Sequence, residues 1–264
     1  MLRMRQIPLF AIREETCAPR ALHLAREKRY RQASLGMVMS GSFEYRSENG
    51  AATAVPGTVI LGNSGEHFSC HARDAIGNRR EVVYFRADFL HDVAETCGLP
   101  VARFRVPAVP PGRFSAGVFG ALRRLALKTG DGEEAAYEIA EAALQANRSA
   151  FAPVAVSPRN QQRILSIVRH LETHFDEPWS LASLAALARF SPYYFLRLFR
   201  RVTGQSPTQY VLNVRLRAAA NHLLMTQAPV GEIALSTGFN DISHFNASFR
   251  GAFGRSPTLW RALA

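Results

Sequence analysis

The apolar positions of this 264-residue chain change period along its length. As far as Phe85 they come in short runs: Leu35-Gly36-Met37-Val38-Met39, Phe43 alternating with Tyr45, Val59-Ile60-Leu61 and Val82-Val83-Tyr84-Phe85. Runs of this length, bounded by turn residues, predict β-strands. Asn49-Gly50, between Phe43-Glu44-Tyr45-Arg46 and residues 51–55, predicts a tight hairpin in which both central residues take positive φ. Pro56-Gly57 and Asn63-Ser64-Gly65 mark the next turns, so the strands are expected to close as a compact antiparallel barrel or jelly roll.

From Phe89 to Cys97 the spacing turns helical, with Asp88 as candidate N-cap and Gly98 and Pro100 as the stop. Two longer amphipathic helices follow, near 115–128 and 133–147, split by Thr129-Gly130-Asp131-Gly132. Such a pair can cover the domain's own sheet or meet a second copy of the chain. Residues 151–156 carry neither period and precede Ser157-Pro158. A boundary there divides the chain into 1–152 and 157–264 and makes the whole an α+β protein.

Everything beyond the boundary reads as helix, beginning with a stripe of Ile164, Ile167, Val168, Leu171 and Phe175. Ser180 caps a helix over 181–188, Arg189-Phe190 makes a turn, and Ser191-Pro192 opens a second helix to about Val202. That second helix buries Tyr194, Phe195, Leu198 and Phe199 and leaves Tyr193, Leu196, Arg197 and Arg200 outward. The pattern then repeats. Gly204-Gln205-Ser206-Pro207 returns as Gly254-Arg255-Ser256-Pro257, and Phe195, Phe199 and Arg200 return fifty positions on as Phe245, Phe249 and Arg250. In the second copy Val230, Ile233 and Ala234 match Leu181, Leu184 and Ala185, Gly238-Phe239-Asn240 makes the turn, and Asp241 is the N-cap. Phe245 and Phe249 face inward there, and Ile242, Ser243, Asn246, Ala247 and Arg250 face out. Between the copies, 207–226 predicts one long helix with Leu212, Leu216, Ala219, Ala220 and Leu223 on a single stripe, and Ser206 and Ser256 supply N-caps.

Two helix-turn-helix units on a stiff spacer suit a reader of double-stranded DNA, and the charge agrees. From Arg159 onward the chain holds 12 Arg against 5 Asp and Glu, a net +7 of the total +11, although this is its shorter part. A basic segment gains affinity for a polyanion by releasing condensed counterions. Of the outward residues, Asn pairs with an adenine edge, Arg with guanine or phosphate, and Leu196, Ile242 and Ala247 can meet a thymine methyl.

These residues closely resemble the AraC/XylS-type transcriptional regulators. The resemblance rests on Leu181-x-x-Leu184-Ala185, Ser191-Pro192-Tyr193-Tyr194-Phe195-x-Arg197-x-Phe199-Arg200, Gly204-x-Ser206-Pro207, Ile233-Ala234, Gly238-Phe239-x-Asp241 and Phe253-Gly254-x-Ser256-Pro257. It covers roughly the final hundred residues. It implies seven helices, two helix-turn-helix units and control of transcription, with RNA polymerase as a further partner if the protein activates. The N-terminal half is similar to the cupin-like barrel of many such regulators, which implies a small-molecule effector or a homodimer contact.

Other chemistry is thin. His170 and His174 share a helix face without a third ligand nearby, and His67, Cys70 and His71 cluster without the His-x-His and Glu of cupin metalloenzymes. No nucleophile triad or phosphate loop is evident, so no catalytic residue, metal or cofactor is expected; a cupin-type metalloenzyme with an accessory DNA-binding domain is the rival reading. Three odd cysteines, Cys17, Cys70 and Cys97, and the lack of a signal sequence or long apolar run point to a reducing, cytoplasmic setting with no membrane partner.

Overall fold

The computed structural model describes residues 9–17, 27–72, 77–128, 131–146 and 156–263. Its N-terminal part is the expected antiparallel barrel, made of two sheets. One has the strand order β1-β8-β3-β6-β9, with β1 Phe10–Cys17, β3 Ala33–Ser40, β6 Val59–Gly62, β8 Asn78–Phe85 and β9 Ala108–Val109. The other runs β2-β7-β4-β5, with β2 Lys28–Arg29, β4 Phe43–Ser47, β5 Gly50–Ala54 and β7 His67–Ala72. Alternation along β8 sends Arg80, Val82 and Tyr84 into the barrel and Glu81, Val83 and Phe85 to the opposite face.

The first hairpin forms, but not with the expected turn. Ser47 pairs with Gly50, so Glu48 and Asn49 are the loop residues, and only Gly50, at φ 121°, leaves the negative-φ region. A tertiary contact accounts for the difference: the Asn49 amide donates to both oxygens of buried Glu66, at 3.1 and 3.0 Å. Glu66 also accepts from Asn63 and from Arg103, which ties three loops together at one end of the barrel.

Helix α1, Ala87–Thr96, starts two residues earlier than expected. Arg86 is the N-cap residue, and Asp88 sits in the first turn, accepting from the Phe89 amide and from Arg86. Asp88 still meets the positive end of the helix dipole there. Helices α2, Arg113–Leu127, and α3, Gly132–Gln145, lie against each other and cover the outer face of the five-stranded sheet. Asp131 caps α3 by accepting from Glu133 and Glu134. Residues 147–155 lie outside the described residues, and with them all but Val156 of the 151–156 segment where the domain boundary is expected, as do residues 129 and 130 of the α2–α3 loop.

Seven helices follow: α4 Pro158–Thr173, α5 Leu181–Leu187, α6 Pro192–Thr203, α7 Pro207–Met225, α8 Val230–Ser236, α9 Ile242–Phe253 and α10 Pro257–Arg261. The expected stripe of the spacer α7 enters the core of the second unit, with Leu216, Ala219, Ala220 and Leu223 buried and Leu212 packed at its edge; beyond expectation, Tyr210, Val211 and Val214 enter the core of the first unit. A helix between two globules must be apolar on both sides.

The barrel domain and the helical domain pack directly together. The Trp260 ring of α10 lies on Gly120 of α2, where a Cβ would come within 2.5 Å of its Cη2, and Phe253 meets Phe119 at 6.4 Å between ring centroids. On the other side Val55 enters the first unit's core, Gln161 donates to the Thr53 hydroxyl at 3.0 Å, and Gly57 lies against the Arg217 guanidinium. The apolar faces of α2 and α3 are therefore buried within the chain.

Candidate nucleic-acid interface and barrel cavity

Each unit presents its second helix by the same local devices. Helix α6 opens on Ser191-Pro192, where proline gives up an amide that has no helical partner, and α9 opens on Asp241, whose carboxylate accepts from Ser243 at 2.7 Å and His244 at 3.2 Å. Both helices end on a left-handed glycine, Gly204 at φ 79° and Gly254 at φ 73°. The turns before them also reach positive φ at matching places, Arg189 at 55° and Gly238 at 86°. Gly238 cannot carry a side chain, because its Cβ would stand 2.8 Å from the Asp176 carbonyl and from Arg215 Nε.

Arg215, which the sequence pattern did not single out, fixes one unit against the other. It reaches from α7 to donate to the carbonyls of Phe175 and Glu177, both at 2.7 Å, while Gly238 of the second turn packs on it. The cleft between the units, about 520 Å³, thereby gathers Ser180, Thr208, Asn240, Asp241 and His244 around the N-termini of α5, α7 and α9. Arg217 plays a buried counterpart role, pairing at 2.8 Å with Glu172, which also accepts from Tyr210 at 2.6 Å.

The outward faces are as the spacing predicts, with one change. Tyr193, Arg197 and Arg200 on α6 and Ile242, Ser243, Asn246, Ala247 and Arg250 on α9 are exposed, Tyr193 at 79%. Leu196 is half-buried at the edge of its face, and Tyr194, read as core, is half-buried too. Tyr194 accepts from Asn160 at 3.1 Å and lies under the Arg197 guanidinium, 5.2 Å from ring centre to Cζ, which restrains that arginine before any ligand arrives. His244 and Arg201 are also exposed on these helices, as is Arg189 in the first turn and Arg255 after α9. The fifty-residue offset that matches His244 to Tyr194 was the available signal for the first of these. Among the described residues no carboxylate pairs with Arg189, Arg197, Arg200, Arg201, Arg250 or Arg255.

The barrel carries a second site, an open cavity of about 610 Å³ on the inner faces of β1, β3 and β8. Arg80 crosses it to Glu15 at 3.0 Å, and the Tyr84 hydroxyl donates to the same carboxylate. Burial, reinforced by Glu15, pushes the Tyr84 phenol up to about 12. Tyr30 stacks on Phe68 at 4.1 Å and shares a 2.8 Å hydrogen bond with Tyr45, while burial raises the Cys70 thiol beside them. The His67, Cys70 and His71 cluster does not converge: strand alternation puts Cys70 inside with Phe68 and Tyr45, while His67 pairs with Glu48 and His71 meets Ser69 on the other face. His170 and His174 stack on each other at 4.4 Å with Trp179 edge-on to His170. Among the described residues no group of three His, Cys, Asp or Glu could hold a metal ion, and no helix is long and apolar enough to cross a membrane.

A barrel with an open cavity, joined to paired helix-turn-helix units with basic faces, defines a DNA-binding transcriptional regulator as the class of protein. A family model described as the AraC-like ligand binding domain matches residues 12–146, and one described as a helix-turn-helix domain matches 184–262. The chain belongs to the AraC/XylS-type family of transcriptional regulators. It is similar to the regulatory protein SoxS of Salmonella typhimurium, 32% identical over 102 residues that make up 39% of this chain and 95% of that protein. It is also similar to the bifunctional transcriptional activator/DNA repair enzyme AdaA of Bacillus subtilis, 30% identical over 37% of this chain and 46% of that protein. Among solved structures, the DNA-binding domain of AdpA in complex with a target DNA matches with 31% identity over 38% of this chain and 90% of that one, at a TM-score of 0.37.

Proposed function

We propose that this regulator reads a specific duplex sequence with α6 and α9 together and that occupancy of the barrel cavity alters how α9 is held. The observation that supports it most is the pair of exposed faces, whose arginines meet no carboxylate among the described residues, bounded by matching caps and each set on a fully buried pair of phenylalanines. In this reading Tyr193, Leu196, Arg197 and Arg200 enter one groove segment, and Ile242, Ser243, Asn246, Ala247 and Arg250 the next. His244, Arg189, Arg201 and Arg255 add phosphate contacts, which outnumber base contacts in most interfaces. The 19 residues of α7 span about 28 Å, near the ~34 Å between successive major-groove faces of B-DNA.

The protein then works where the chromosome is, in the cytoplasm, and meets RNA polymerase if it activates. One chain carries both readers; a homodimer through α2 and α3 would use their outward faces, because their apolar faces pack within the chain, and a monomeric mass in sedimentation across a broad concentration range would overturn it. Selection of bound sequences from a random duplex pool, followed by gel shifts, tests the main reading. Arg197→Ala and Asn246→Ala should each cost about 1–3 kcal/mol and relax preference at different positions of the site. Unchanged specificity in both would remove α6 and α9 as the readers.

A further inference from the structure

We propose that the barrel cavity takes a small organic carboxylate with an apolar body, a claim that rests on the effector-pocket reading above. Its wall carries four guanidinium groups, Arg13, Arg29, Arg31 and Arg80, against one carboxylate, Glu15. That carboxylate is already engaged by Arg80 and Tyr84. Among the described residues no acid pairs with Arg13 or Arg31, and Arg29 donates only to the Gly65 carbonyl, so the lining keeps a positive excess. Arg80 is the decisive group. Its residue is 9% exposed, it enters the cavity from β8, and its Nε has no hydrogen-bond partner. A buried guanidinium donor left unsatisfied marks a place where an acceptor belongs.

The floor supplies the other half of the argument. Ala11, Gly36, Ile60 and Val82 are apolar, and the Tyr30–Phe68 stack closes one side. Gly62 lets the Tyr30 ring lie flat on β6, where a Cβ would stand 2.2 Å from it. A bodiless anion would leave this surface wet, and a neutral acceptor could meet Arg80 Nε but would leave the positive excess of Arg13, Arg29 and Arg31 uncompensated.

Titration calorimetry on the full chain tests the idea with phenylacetate and hexanoate, their primary amides, and inorganic phosphate. Both acids should bind saturably and about tenfold or more tighter than the amides, with phosphate failing to compete. Arg80→Gln should erase that preference. Because a buried change can unfold the barrel, the exposed pair Arg13→Gln with Arg31→Gln provides a second test and should weaken the acids while sparing the amides. Amides binding as tightly as acids, or an unaffected double variant, would overturn the carboxylate while leaving the pocket. Absence of binding by every probe, in protein that still shifts its selected duplex, would overturn both the carboxylate and the effector pocket and leave the DNA reading intact.

Discussion

Phe195 and Phe199 in the first helix-turn-helix unit correspond to Phe245 and Phe249 in the second, and all four are fully buried, yet by different parts of the chain. The first pair lies in a core built from α4 to α7, with Val55 as the barrel's one buried contribution. The second pair belongs to a core that runs without a break through α7 to α10 into α2, α3 and the outer face of the barrel sheet. Two copies of one motif therefore have different dependencies. The first reader is buried mainly among its own helices, with side contacts to β5 and Val55 of the barrel, and the second shares its core with the domain that carries the cavity. A route from cavity to reader is short on that side: Arg80 lines the cavity, its neighbour Glu81 pairs across the sheet with Arg123 of α2, and α2 holds Trp260 and Phe253.

The sharpest test of the contrast is to remove a large side chain from each core. Trp260→Ala should cost about 3–5 kcal/mol in urea unfolding and should also lower hydrogen-exchange protection along α2. Phe195→Ala should cost a similar amount and leave α2 protected. Equal loss of α2 protection in both variants would break the comparison.

A gentler test uses two glycines of α2. A Cβ at Gly120 collides with the Trp260 ring, so Gly120→Ala should destabilise by about 1–3 kcal/mol despite its better helix propensity. Nothing lies within 4 Å of a Cβ at Gly117, so Gly117→Ala should stabilise by roughly 0.5–1 kcal/mol. If both changes stabilise, α2 is not the clamp. Comparable in size are the two matched caps. Ser206→Ala and Ser256→Ala each remove one accepted backbone hydrogen bond and should cost about 1 kcal/mol, with only the second weakening the contact to α2.

The least effect is expected from pH and concerns the barrel alone. The Tyr84 phenol is pushed up from 10 to about 12, so the unfolded chain gives up that proton first. Its contribution to stability is intact below pH 10 and declines as pH rises towards 12. Glu15→Gln should lower the ionisation midpoint seen in tyrosinate absorbance, since it removes the carboxylate that reinforces burial.

Much of this was legible from residue order. The repeat, the Ser-Pro openings, the glycine stops and the inward phenylalanines are local signals, and each acts within one or two helical turns, so α6 and α9 and most of their outward faces could be named in advance. The rest depended on distant partners. Asn49 left its expected turn for Glu66, Tyr194 and Leu196 settled at the edges of their faces, and Arg215 found carbonyls some forty positions away. Strand alternation separated Cys70 from the two histidines once the register was set. The sequence by itself determined the helices, the duplication and the basic character of the reader, because short-range propensity and period encode them, whereas strands β1, β2 and β9 were not among the expected elements. Only the tertiary structure decided that α2 and α3 turn inward, that the second unit shares a core with the barrel and that Arg80 faces a cavity, because packing partners are chosen by shape and unsatisfied polar groups across the whole chain.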